Sequence, residues 1–207
     1  MTVQKIQKTF FRYGICILGI LLTSLSTAVF YLVKLGSDPI QVMFSGAANT
    51  LGIPYGTVIS LFNLAIGILM VLFARKYVKA ALFLSVLCAG FFVDGYLSLL
   101  GNWITNELPI AVRILLGIFG CVIMCLGIYL YLLPQLGASP TEGMGLFIAE
   151  KLCIPYGKVR LALDILFTVC GWLLGGNLGA ITVIAMLTTG PGVTLLEKVF
   201  HYKIVRA

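Results

Sequence analysis

Charge is scarce in this chain: 10% of its 207 residues are charged, against about 25% in an ordinary soluble domain. A soluble fold is excluded on that ground, because no aqueous core could hide the apolar surface that remains. Histidine is nearly absent. The single one, His201, lies in a basic tail, which excludes a histidine-based triad. HExxH, GxSxG, a Walker loop and a dinucleotide fingerprint are all missing, so the sequence predicts no enzyme. Six cysteines are present, but none forms a CxxC pair, and Cys121 and Cys125 have no His or carboxylate close by. They read as soft packing residues, with no metal or cofactor expected. The net charge of +7 does not imply nucleic acid, since the basic residues fall in small groups between apolar runs.

What the chain does have is apolar length. Apolar residues make up 60% of it, and a membrane helix needs about 20 in succession. Six spans are expected: Tyr13–Val33, Thr57–Phe73, Ala80–Leu100, Ile110–Leu133, Val159–Leu174 and Ala180–Leu196. The basic N-terminus leads into a run too long for a signal-peptide core, so it reads as a retained first span. Positive flanks stay cytoplasmic. With the N-terminus inside, Lys5, Lys8, Arg12, Arg75, Lys76, Lys79, Lys151, Lys158, Arg160, Lys198, Lys203 and Arg206 fall inside, and only Lys34 and Arg113 outside. Both termini are therefore expected to be cytoplasmic.

The chain also resembles itself. At an offset of 101, Leu35-Gly36-Ser37-Asp38-Pro39 falls on Leu136-Gly137-Ala138-Ser139-Pro140, and Ile53-Pro54-Tyr55-Gly56 falls on Ile154-Pro155-Tyr156-Gly157. Arg12 meets Arg113 and Gly19 meets Gly120 without a gap. A single membrane domain, 1–207, is expected, with repeat 1 at 10–100 and repeat 2 at 110–200. Three spans per half is an odd number, so the halves insert in opposite orientations, the inverted-repeat pattern of many secondary transporters.

The repeated motif has a mechanical meaning. Asp38 and Ser139 are good N-caps, and Pro39 and Pro140 suit the first helical position. Short helices are expected over Pro39–Thr50 and Pro140–Lys151, each stopped by Ile-Pro-Tyr-Gly. They are too short to span and are either interfacial or re-entrant.

Leu-Gly-x-x-Pro, a short helix, then a glycine-containing turn into a span, all occurring twice, resembles the YczE/YyaS/YitT group of bacterial membrane proteins. Gly190-Pro191 also looks like a feature of that group, although Gly90-Phe91 departs from it in the first half. The resemblance implies a multi-pass protein of the bacterial plasma membrane.

Ionisable groups inside a bilayer are costly and mark pathways or buried pairs. Asp94 and Asp164 lie within the third and fifth spans. Asp164 falls on Asn63, and Glu142 falls on Gln41, at the repeat offset. These five residues are the candidate substrate or ion site, to converge near the axis relating the halves. Protonation or hydrogen bonding to a neighbouring helix is the alternative reading for Asp94 and Asp164, and a solvated interfacial carboxylate beside a helix N-terminus is that for Glu142. Asp38 reads as a cap, and Arg113 as an anchor of the fourth span beside Glu107. Gly171 and Gly175 form a GxxxG that serves intrachain packing or a homodimer. The expected function is secondary transport of a small molecule or ion; the alternatives are a non-transporting accessory or assembly protein, or a passive channel.

Overall fold

The computed structural model describes residues 3–199 apart from 106 and 138; His201, Lys203 and Arg206 lie outside the described residues. Every regular element among them is helical: α1 (Val3–Val33), α2 (Pro39–Leu51), α3 (Tyr55–Phe73), α4 (Ala80–Leu100), α5 (Ile110–Leu132), α6 (Pro140–Lys151), α7 (Tyr156–Leu173) and α8 (Ala180–Val199), with a 3-10 turn at Arg75–Tyr77. Among the described residues, four segments are long and apolar enough to cross a membrane: Phe10–Val33 in α1, and the whole of α3, α4 and α5. α7 and α8 coincide with the fifth and sixth expected spans without belonging to those four. α7 carries Lys158, Arg160 and Asp164, and the apolar part of α8 is Ala180–Val193. Pro191 lies inside α8.

The expected short helices are α2 and α6, and their ends follow local chemistry. Proline opens both. Ser139 caps α6 with a full capping box: its hydroxyl accepts from the Glu142 N–H, and the Glu142 carboxylate accepts from the Ser139 N–H. At α2 the expectation needs correction, because Asp38 occupies the N-cap position but its side chain makes no cap bond. Gly52, left-handed at φ 66°, ends α2 and returns its N–H to the Ala48 carbonyl. Left-handed backbone recurs at the repeat offset: Lys34 with Gln135, Gly36 with Gly137, and Gly52 with Cys153. At φ 109° and 119° respectively, Gly36 and Gly137 occupy a region that only glycine enters cheaply.

α1 and α5 form the central pair. Arg12 donates to the Pro134 carbonyl, Ser26 to the Gly120 carbonyl at 2.7 Å, and Arg113 to the Val33 carbonyl. Residue numbers fall along one helix as they rise along the other, so the two run antiparallel. Close approach depends on glycine: a Cβ on Gly19 would lie 2.4 Å from the Tyr131 backbone nitrogen. α4 joins α1 through Ser24, which donates to the Ala89 carbonyl. α8 joins α5 where Ile181 and Ala185 pack with Phe30, Cys121 and Met124.

The outer faces are apolar rather than polar. Leu87 and Phe91 of α4 are 73% and 75% exposed, and Leu61, Leu64, Ile68 and Leu72 line the outside of α3. A water-facing helix would carry charge there, whereas lipid suits this surface.

Candidate functional site

The site begins where α2 crosses α7. A Cβ at Gly171 would sit 2.4 Å from the backbone of Val42 and Met43, so only glycine lets the two helices touch. Gly171 is thus used within the chain, against α2. Three edge-to-face rings support the crossing from α3: Phe44 and Phe62 at 5.0 Å, and Phe62 and Phe167 at 6.2 Å. Ser45 accepts from the Asn177 N–H, and Asn49 donates to the Gly175 carbonyl. The C-terminal half of α2 is thereby held at the far end of α7, and its start is directed back along α7.

Below that start lies a cavity of about 10 Å³, lined by Ile40, Thr141, Arg160, Leu163, Asp164 and Phe167. It has room for one water molecule. Three elements meet there: Ile40 comes from the first turn of α2, Thr141 from the first turn of α6, and the rest from α7. Asp164 is the ninth of the 18 residues in α7, about 13 Å from either end of the helix. Its carboxylate pairs with Arg160 Nε at 3.0 Å, one turn away.

Asp38, at the N-cap position of α2, is buried, 7% exposed. One turn on, Gln41 is buried and donates from Nε2 to Thr27 Oγ1 at 2.9 Å.

Of the five residues expected to converge, Asp164 lines this cavity, Glu142 closes the capping box of α6, and Gln41 bonds Thr27 of α1. Asn63 is buried in α3. Asp94 has a different partner: its Oδ1 accepts a 2.8 Å hydrogen bond from the Gly56 N–H. Pro54, at the N-cap of α3, offers no side-chain acceptor. A carboxylate from α4 therefore satisfies an amide that the helix start leaves open. Arg113, expected beside Glu107, instead bonds the last carbonyl of α1.

Sequence reasoning missed Arg160 as a member of this site, because it looked like a flanking charge. The i,i+4 spacing of Arg160 and Asp164 was the available signal.

Comparison with known families matches residues 10–198 to DUF6198, a family of unknown function. The chain belongs to that family. Relatives of this DUF6198 member include the uncharacterized membrane protein YczE of Bacillus subtilis, 27% identical over 141 residues. That match covers 66% of this chain and 63% of the relative, so the chain spans less than two thirds of its length. An uncharacterized protein of Haemophilus influenzae is 26% identical over 178 residues, covering 86% of this chain and 77% of the relative. No solved structure matches. The DUF6198 chain is thus a membrane protein whose described regular elements are all helical, similar to a relative described as an uncharacterized membrane protein.

Proposed function

We propose that this chain is a secondary transporter of a small molecule or ion in the bacterial plasma membrane. Six helices, α1, α3, α4, α5, α7 and α8, cross the bilayer as two three-helix repeats of opposite orientation, with both termini cytoplasmic. α2 and α6 are re-entrant half-helices that start near the midplane. The observation that carries this reading is the meeting of their first turns at Asp164, halfway along α7. Irregular backbone at that depth is tolerated only where protein or a polar cavity surrounds it.

The inverted arrangement draws support from bonds that exchange between the halves. Arg12 bonds the Pro134 carbonyl and Arg113 the Val33 carbonyl; both partners differ by 101 in number. The Ile181 N–H donates to the Leu35 carbonyl at 3.0 Å, and the Ala81 N–H to the Leu136 carbonyl at 3.0 Å.

Uptake into proteoliposomes tests the reading, using a defined mixture of amino acids, sugars, nucleosides and inorganic salts read by mass spectrometry. Wild type accumulates a solute that empty liposomes do not, and Asp164→Asn loses most of that uptake. No accumulation of any solute, together with co-purification of a second membrane protein, favours the accessory role instead. Cysteines at Lys76 and Lys158 should label from the same side of the membrane, and labelling from opposite sides rules out the orientation.

A further inference from the structure

We propose that the cavity between the ends of α3 and α6 holds the phosphate headgroup of an anionic phospholipid. The inference needs α3 to span the bilayer and does not depend on transport.

The cavity has a volume of about 600 Å³ and opens where α3 gives way to the 3-10 turn; its lining includes Phe73, Arg75, Lys76, Phe147, Glu150 and Lys151. α3 is 19 residues long, about 28 Å, against a hydrocarbon core of about 30 Å. Residues just past its end therefore lie at headgroup depth.

Charge selects the headgroup. Lys76 and Tyr77 both bond the Glu150 carboxylate, so that carboxylate is engaged within the wall. Arg75 and Lys151 remain, and no carboxylate among the described residues pairs with either. Arg75 Nε donates to the Val71 carbonyl at 3.0 Å, which fixes the guanidinium at the end of α3 and leaves its outer nitrogens to bond an oxyanion. The C-termini of α3 and α6 offset about half a charge each. About one positive charge is left over, which one phosphodiester neutralises.

Apolar surface selects a lipid over a free anion. Phe73 lines the cavity and is 70% exposed. Leu69 and Leu72, on the same side of α3, are exposed too and continue the apolar outer face that suits lipid. A headgroup in the cavity would lay its acyl chains along this face, whereas a water-soluble phosphate gains nothing from it.

The same joint in the other half is closed and uncharged. At the offset of 101, Arg75, Lys76 and Lys151 fall on Gly176, Asn177 and Thr50. Met70 and Phe147, which pack in one apolar cluster, fall on Gly171 and Gly46, where a Cβ would strike backbone. α2 and α7 therefore touch through backbone, while side chains hold α3 and α6 apart. The cationic cavity belongs to one half and is not a by-product of the repeated motif.

The test uses the full chain purified in a neutral detergent. Dioctanoyl phosphatidylglycerol, dioctanoyl phosphatidylcholine and glycerol 3-phosphate are titrated separately. The midpoint of thermal unfolding is read, and bound lipid is counted by native mass spectrometry. Phosphatidylglycerol should raise the midpoint saturably and stay bound through the measurement; the other two should do neither. Arg75→Gln combined with Lys151→Gln should weaken that response by roughly tenfold or more, and the single variants serve if the double variant does not fold. Glu150→Gln frees Lys76 and should tighten lipid binding severalfold, which loss of a merely structural joint would not do. Lys34→Gln removes a charge just past the end of α1, outside the cavity lining, and should change nothing. An equal response to both lipids, an equal response to glycerol 3-phosphate, or a full response in the folded Arg75 and Lys151 variants overturns the proposal.

Discussion

Arg113 Nε donates to the backbone carbonyl of Val33 at 3.0 Å, closing the end of α1 with a charge from α5. Arg12 does the same for Pro134, also at 3.0 Å. Each carbonyl belongs to a helix end that has run out of its own amides. Replacing either arginine by glutamine should cost about 1.5–3 kcal/mol. The two sites sit at opposite ends of the α1–α5 pair, so the double variant should lose nearly the sum. Denaturant unfolding of the two single variants and the double variant checks this, and strong non-additivity would contradict it.

Gly171→Ala should destabilise by more than about 2 kcal/mol, because its methyl enters the backbone of α2. Gly14 is the control. A Cβ there meets nothing within 4 Å, and alanine should gain up to about 1 kcal/mol from helix propensity. Thermal unfolding of the two variants should move in opposite directions.

Asp94 holds the start of α3, so Asp94→Ala should cost about 1 kcal/mol. Asp94→Asn retains an oxygen that can accept from Gly56 and should cost less. Uptake should survive Asp94→Asn and fall with Asp164→Asn. Equal loss in the two variants would return Asp94 to the transport site.

The Lys76 ammonium and the Tyr77 hydroxyl both bond the Glu150 carboxylate, joining the 3-10 turn to α6. The bond from Lys76, followed by that from Tyr77, holds the Glu150 carboxyl below its ordinary range. A depressed carboxyl stabilises the fold at pH above its unfolded value of about 4.3. That stability is lost as pH falls through the lower folded-state value. The group is exposed, so the effect is small and sensitive to salt. Stability measured between about pH 5 and 3 should fall less steeply in Glu150→Gln than in wild type. Matching slopes would show that the pair does not couple to folding.

Much of the architecture was legible before any coordinates. Apolar runs located the helices to within a few residues, since hydropathy and length act locally. Pro39, Pro140, Gly36 and Gly137 announced helix starts and left-handed turns, because each residue restricts its own dihedrals. The site was half legible. Asp164, Gln41 and Glu142 stood out as polar groups in apolar surroundings. Arg160 was masked by a plausible role as a flanking charge, and Asp94 was attractive only because its partner was an amide from a distant helix.

By itself the sequence determined an all-helical membrane chain with the same motifs twice, one proline-started short helix in each half, and three carboxylates among the short helices and α7. These follow from forces that act within a few residues of each position. Only the tertiary structure decided that Arg160 pairs with Asp164 where the first turns of α2 and α6 meet α7, and that Asp94 closes α3. Those outcomes depend on where helices cross, and the crossings are set by contacts such as Gly171 against Val42, between residues far apart in the chain.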